Sequence, residues 1–296
     1  RILKNTVSTT ASFLKDKLRI KGDFTFQNND NDQTQIRVPV PFSRRPGVIE
    51  YVGSSKNDIQ NTNKTTSYLA SNIYGEYEDT FKEVHYFKAM VGYNYEESRM
   101  KNVKVLRNGL IFDDAEDLNM ALGQTINTEG GYSKWRISGG FFRLNYIYNN
   151  RYLFEVNGRY DGTSRFPSDN RFVFLPSFSG AWRVSEEAFM ESTRSWLDNL
   201  KVRASYGILG NQLLTASSWS GNTKYYPYIP FMASGTAGNW LFVDGEKSLY
   251  INLAGLVSSD LTWEKASTFN IGLDFTMLNQ RLDFSFDWYQ RTTSDM

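Results

Sequence analysis

Between Arg151 and Gln212 the chain alternates apolar and polar residues in three successive runs, and this pattern restricts the fold more than any other feature. In the first run Tyr152, Phe154, Val156, Gly158 and Tyr160 share one face, opposite Glu155, Asn157 and Arg159. In the second, Phe172, Phe174, Phe178, Trp182 and Val184 share a face, and Ser177, Ser179 and Arg183 oppose them. In the third, Val202, Ala204, Tyr206 and Ile208 oppose Lys201, Arg203 and Ser205. Successive side chains point to opposite sides of a strand, so each run predicts a strand with one apolar and one polar face.

The same pattern recurs on both sides of this stretch. Val7 to Phe13 and Leu18 to Phe26 form a hairpin about Lys15-Asp16-Lys17. A polar segment with Pro39, Pro41 and Pro46 follows to Thr65 and reads as a long loop, with room for short strands of its own. Ser67 to Tyr77 and His85 to Tyr95 pair about Phe81-Lys82-Glu83, and residues 98–131 read as another loop. Trp135 to Tyr148 is the next strand. Its outward phase changes between Trp135/Ile137 and Phe142/Leu144/Tyr146, which predicts a bulge at Gly139-Gly140. After Gly210 comes a loop of about fifty residues, an unusual length for a structureless connection. Phe269 to Met277 and Leu282 to Trp288 then form a last hairpin about Leu278-Asn279-Gln280.

Roughly ten strands result, antiparallel because their turns are short. Short turns near Asp16, Lys82, Asn149 and Asn279 alternate with long loops. Short turns at one rim and long loops at the other is the asymmetry of a transmembrane β-barrel, with the short turns periplasmic and the long loops extracellular. A soluble β-sandwich also alternates, but it has no reason to keep that order. Charge also recurs on the polar faces, at Arg19, Lys21, Asp23, Lys88, Glu96, Asp274, Asp283 and Asp287, as a wet lumen allows.

Composition agrees. Hydrophobic residues reach only 40% while aromatics reach 16%, with 18 Tyr and 21 Phe carrying much of the apolar load. Rings suit sheets and interfacial belts better than helical cores. A formal net charge of +1 gives no reason to expect a nucleic-acid partner. With no cysteine, disulfides, thiolate metal sites and cysteine nucleophiles are all excluded. No apolar run approaches the ~20 residues of a spanning helix, and RILKNTVSTT has no apolar signal region.

Several motifs resemble the SusC/RagA family of TonB-dependent outer-membrane transporters. They are Phe154-Glu155 through Arg159, Asp161-Gly162-Thr163-Ser164-Arg165-Phe166, Leu175-Pro176-Ser177-Phe178-Ser179 and Ala181-Trp182-Arg183. Glu187-Ala188-Phe189-Met190, the run Trp196 to Gly207 and Gly210-Asn211-Gln212 continue the series. It resumes at Asp260-Leu261-Thr262-Trp263-Glu264-Lys265, Asn270-Ile271-Gly272-Leu273-Asp274 and Asp287-Trp288-Tyr289. Before Tyr132 the likeness is one of pattern only. The resemblance implies an all-β chain, about ten strands of the wall of a larger, 22-stranded barrel with a plugged lumen. Residues 1–296 are then one partial barrel domain, incomplete at both ends, and the family's N-terminal plug has no counterpart in them. The resemblance further implies uptake of oligosaccharides or peptides across a Gram-negative outer membrane. The partners would be a SusD-like surface lipoprotein, the TonB complex acting through the plug, and outer-membrane lipid. A passive porin and a soluble β-sandwich carbohydrate-binding module are the alternatives.

No catalytic constellation is expected, and no cofactor. One histidine, His85, cannot supply a multi-histidine metal site and reads as an outward interfacial side chain. Asp113, Asp114, Glu116 and Asp117 could offer oxygens to a hard cation, but without a glycine-turned loop they read as a solvated acidic loop. Glu186-Glu187 reads as helix-terminal. In the long loop Trp219, Tyr225, Tyr226 and Trp240 are candidates for stacking on sugar rings or meeting a lid partner, or for packing the loop on itself. Asp161, Arg165 and Phe166 carry the family motif, for which a positional role at the rim is expected, through a turn-fixing Asp and an ion pair. Pro176, Trp182, Gly207, Asn211, Trp263 and Glu264 are expected to be structural too.

Overall fold

A computed structural model describes residues 1–52, 57–124, 126–213, 225–232, 234–236, 242–243 and 246–295. The strands are β1 (Ile2–Phe13), β2 (Leu18–Arg37), β3 (Val40–Arg45), β4 (Val48–Val52), β5 (Asp58–Phe81), β6 (His85–Asn108), β7 (Ile126–Tyr148) and β8 (Tyr152–Thr163). They continue as β9 (Phe172–Arg183), β10 (Leu197–Asn211), β11 (Ser234–Thr236), β12 (Phe242–Val243), β13 (Glu246–Lys247), β14 (Leu249–Ile251), β15 (Glu264–Met277) and β16 (Leu282–Ser294). Ten of them form one sheet in the order β1-β2-β5-β6-β7-β8-β9-β10-β15-β16. Neighbours run antiparallel wherever the register is defined, as from Tyr152↔Trp182 to Gly162↔Phe172 and from Leu197↔Met277 to Asn211↔Glu264. The expected ten-stranded antiparallel sheet is therefore present. No described helix is long and apolar enough to cross a membrane.

The tight turns follow from local backbone chemistry. Lys82 and Glu83 both take positive φ, as do Asn149 and Asn150. Val84 N–H donates to Phe81 O at 3.3 Å and Arg151 N–H to Tyr148 O at 2.9 Å, which closes both turns. Two central residues at positive φ give the hairpin turn whose twist matches that of the flanking strands. One connection breaks the expected asymmetry of lengths. Residues 184–196, with short 3-10 turns at Val184–Glu186 and Ala188–Thr193, lie at the same end as the tight turns. Arg183 N–H reaches Arg151 O there, and Leu278 N–H reaches Trp196 O.

The chain divides into two compact units, one of residues 1–6, 25–69 and 97–134, the other of residues 7–24, 70–96 and 135–296. The first corrects the sequence reading most. Residues 98–131 were expected to be loop, yet β6 runs to Asn108 and β7 starts at Ile126. The polar segment before Thr65 likewise contains much of β2, the start of β5 and a separate β3–β4 hairpin. These extensions lack apolar alternation because ladder hydrogen bonds come from the backbone and need no buried face. The unit has a small core of Ile59, Leu110, Ala115 and Ala121, supported by Ile36, Val38 and Leu118. Beside it Arg37 forks onto Asp58 at 2.6 and 2.7 Å.

In the second unit the two faces predicted by the alternation are present. Large rings stand exposed on one side, Phe154, Tyr160 and Phe286 each with 54% of their surface open. The other side is laced with charge pairs. Arg19 meets Glu76 at 2.7 Å and Glu78 at 3.0 Å, Lys88 meets Glu78 at 3.2 Å, and Lys17 meets Asp79 at 2.7 Å. Arg203 lies flat across Gly272, where a Cβ would strike its guanidinium, and so reaches Asp274 at 3.0 Å and Asp287 at 2.6 Å.

The bulge expected at Gly139-Gly140 does not interrupt the pairing with β8, which runs unbroken through Ile137↔Thr163, Gly139↔Asp161 and Gly140↔Tyr160. The change of phase has a different cause. Trp135, Ile137 and Phe141 fall on the alternation of Gly139 and so face the side of Arg159 and Asp161. Gly139 leaves its own site empty for the Asp161 carboxylate, which would collide with a Cβ there. At Gly140 an added Cβ meets nothing nearer than Gly92 O at 3.9 Å. Gly139→Ala is therefore expected to cost about 1–3 kcal/mol of unfolding free energy through overpacking, and Gly140→Ala much less. Denaturant unfolding of the full-length protein in detergent measures both, and equal losses would contradict this account.

Candidate functional site

The motif residues gather at the ends of β8, β9, β10 and β15 remote from the tight turns. Asp161, only 7% exposed, accepts both arms of Arg159 at 3.0 Å. Thr163 N–H donates to Arg171 O, and Ser164 N–H to Arg136 O at 2.9 Å, while the Ser164 hydroxyl accepts from Arg136 N–H. Phe166 is fully buried and meets Trp263 edge to face, 5.7 Å between ring centres. Val173, Leu175 and Leu261 complete that cluster. The Trp263 indole donates to Arg171 O at 2.9 Å, which ties the start of β15 to the β8–β9 connection 92 residues away. Next to Trp263, Glu264 accepts from the Asn211 amide at 2.9 Å, and Asn211 Oδ1 accepts from Leu213 N–H.

Two further motif positions set the limits of a ladder. Pairing of β9 with β10 runs from Arg183↔Lys201 to Ser177↔Gly207 and ends there. Pro176 is next and has no N–H to give. Gly207 lets Ser177 approach, since an added Cβ would lie 3.1 Å from the serine Cβ.

Arg165 departs from the expected ion pair. Asp161 is taken by Arg159, and Arg165 is only 8% exposed. Its guanidinium lies 5.2 Å from the Trp135 ring centre and 5.5 Å from that of Tyr225. Burial holds its pKa below the usual arginine value, opposed by Tyr225 and Tyr226. The structure thus joins two groups that the sequence left separate, the rim motif and the aromatic loop. Trp219 and Trp240 lie outside the described residues. Trp135 was missed as a partner, although its place out of the outward phase was the signal for it.

At the tight-turn end an aromatic row lines the strand termini. His85 Nδ1 lies 2.9 Å from the Tyr146 hydroxyl, and its ring is 5.1 Å from Tyr148. Tyr148 stacks on Tyr152 at 6.2 Å, and Tyr152 on Trp182 at 6.5 Å with 8° between the planes. Glu187 organises the end of this row. It accepts from the Tyr152 hydroxyl at 2.6 Å and the Trp182 indole at 3.0 Å, and pairs with Arg151 at 3.3 Å. As expected it is helix-terminal in position, closing one 3-10 turn and opening the next, but its side chain caps neither. The acidic loop is exposed at Asp113, Asp114, Glu116 and Asp117. Asp117 caps a short 3-10 turn by accepting from Asn119 N–H at 2.8 Å, and the described residues contain no metal-holding cluster.

A two-faced antiparallel sheet with an exposed ring-rich side and a charge-paired side defines a β-barrel wall. The chain belongs to the family described as TonB dependent receptor-like, beta-barrel, which matches residues 4–296. The match reaches well before Tyr132, where the recognisable motifs stop. The chain is 29% identical over 274 residues to TonB-dependent receptor P26 of Formosa agariphila, covering 92% of this chain and 26% of that protein. It is 35% identical over 157 residues to TonB-dependent receptor SusC of Bacteroides thetaiotaomicron, covering 53% of this chain and 15% of that protein. The fold matches the RagAB peptide importer in its closed-closed state with a TM-score of 0.79 and 23% identity, over 100% of this chain and 30% of that one. The SusC/RagA resemblance read from the motifs is borne out. The chain spans only 15–26% of the length of the curated relatives it matches.

Hydrogen bonds from the Tyr152 hydroxyl and the Trp182 indole, with Arg151 beside them, hold the Glu187 carboxyl below its ordinary pKa of 4.5. A depressed carboxylate adds stability above its unfolded pKa and loses it as pH falls through the folded one. Glu187→Gln is thus expected to melt below wild type at neutral pH, with the gap closing below about pH 4. Melting curves of the full-length protein across that range decide it, and a gap independent of pH would count against the assignment.

Proposed function

We propose that the full-length protein is a nutrient importer of the outer membrane of a Gram-negative bacterium, and that these residues are part of its barrel wall. The family match over residues 4–296 carries the reading. Similarity to SusC and the shared fold with the RagAB peptide importer support an importer of the SusC/RagA type. The ring-rich face would lie against lipid, with the row from His85 to Trp182 at an interface, where aromatic girdles sit. The charge-paired face would line the lumen.

Energy would come from the TonB complex acting on a plug domain elsewhere in the protein, and a SusD-like lipoprotein would cover the long-loop end. The substrate would be an oligosaccharide or a peptide too large for simple porins. Trp219, Tyr225, Tyr226 and Trp240 would meet substrate or lid. Asp161, Phe166, Pro176, Trp182, Gly207, Asn211, Trp263 and Glu264 would hold the wall and rim, with no part in covalent chemistry.

Membrane fractionation, migration with and without heating, and substrate-dependent growth test the reading together. The protein is expected in the outer membrane and heat-modifiable, and growth on its substrate is expected to fail when the TonB complex is disabled. A stable soluble monomer would overturn the membrane assignment. Uptake that persists without the TonB complex would point instead to a passive porin.

A further inference from the structure

Several charged side chains on the inner face of the second unit are matched by ion pairs. Arg19 and Lys88 have Glu76 and Glu78, Arg159 has Asp161, and Arg203 has Asp274 and Asp287. Arg165 combines deep burial with the lack of such a pair. It is among the most buried charged residues, at 8% exposure, and among the described residues it forms no ion pair and its Nε has no hydrogen-bond partner. Rings cover it instead, Trp135 at 5.2 Å and Tyr225 at 5.5 Å. Two ring contacts stabilise the cation but accept none of its in-plane N–H groups. A buried guanidinium left so is costly, and the acceptor that matches its planar fork is a carboxylate.

Local charge points the same way. From Arg159 to Arg171 the sequence has three arginines, Arg159, Arg165 and Arg171, against two acids, Asp161 and Asp169. Asp161 is committed to Arg159, and Arg171 Nε is also without a hydrogen-bond partner. The connection lies at the ends of β8 and β9 away from the tight turns, beside the long loop that brings Tyr225.

We propose that Arg165, clasped between Trp135 and Tyr225, is a binding site for the carboxylate of a soluble acidic ligand. Rings at 5.2 and 5.5 Å restrict the guanidinium, so the ligand meets an arginine with less side-chain entropy left to lose. Tyr225 forms one wall of the site, its ring centre 5.5 Å from the guanidinium. The inference goes beyond the transport reading and does not depend on it, because binding needs neither a partner nor an energy source.

The test uses purified full-length protein in detergent and a probe pair differing only in charge, N-acetyl-triglycine as the free acid and as its amide. Titration is followed by tryptophan fluorescence, since Trp135 lies on the guanidinium. The free acid is expected to give a saturable change, and the amide to bind about tenfold more weakly or worse, as for loss of a charge-assisted hydrogen bond. Arg165→Gln is expected to weaken the acid by a similar factor, with Arg165→Lys in between, and Trp135→Phe to remove the signal. Heat-modifiable migration checks that each variant folds, and the acid–amide comparison on wild type needs no variant. Equal binding of acid and amide, no response to the acid, or a response unchanged in Arg165→Gln or Trp135→Phe would each overturn the proposal. So would a destabilised Arg165→Gln in a protein that binds no added acid, because a carboxylate of the protein itself would then fill the site.

Discussion

The structure depends on the antiparallel backbone ladder. The N–H and C=O groups of a strand point sideways within the sheet and cannot be left unpaired in apolar surroundings, so each strand needs a neighbour in register. Register in turn decides which side chains meet. A slip of one residue would turn every outward ring inward. The unbroken pairing of β8 with β7 and with β9 is what keeps Tyr152, Phe154 and Tyr160 on one side and Arg159 and Asp161 on the other.

The ladder also explains why strands outrun their apolar pattern. β5 and β6 are each 24 residues long, whereas about 9–11 residues suffice to cross a bilayer as a tilted strand. The remainder is held by backbone hydrogen bonds, by pairs such as Arg37–Asp58, and by the small cluster about Ile59 and Leu110. A polar sequence forms a strand in such places because its neighbour is already one.

Two side-chain assemblies finish the ends of the second unit. At one, Glu187 gathers a phenol, an indole and a guanidinium. At the other, Phe166 and Trp263 make a buried contact between segments far apart in the chain. Both turn connections that would otherwise be free into fixed rims. The motifs that carry the family resemblance run through both assemblies, Trp182 and Glu187 in the first and Phe166 and Trp263 in the second. Arg165, the most buried cation within them, is left without an ionic partner among the described residues.

Alternation by itself determined the strands from Val7 to Phe26, from Tyr152 to Tyr206 and from Phe269 to Trp288, together with the tight turns between several of them. It did so because a period of two and a short turn of residues at positive φ are local properties. Tertiary structure decided the rest. The polar extensions of β2, β5, β6 and β7 exist through pairing, which no window of sequence reports. Trp135 turned inward because its strand keeps register through Gly139, and Glu187 found Tyr152 because two strands end side by side. The meeting of Arg165 with Tyr225 required the long loop to come back to the β8–β9 connection, and contacts across such separations depend on the whole chain.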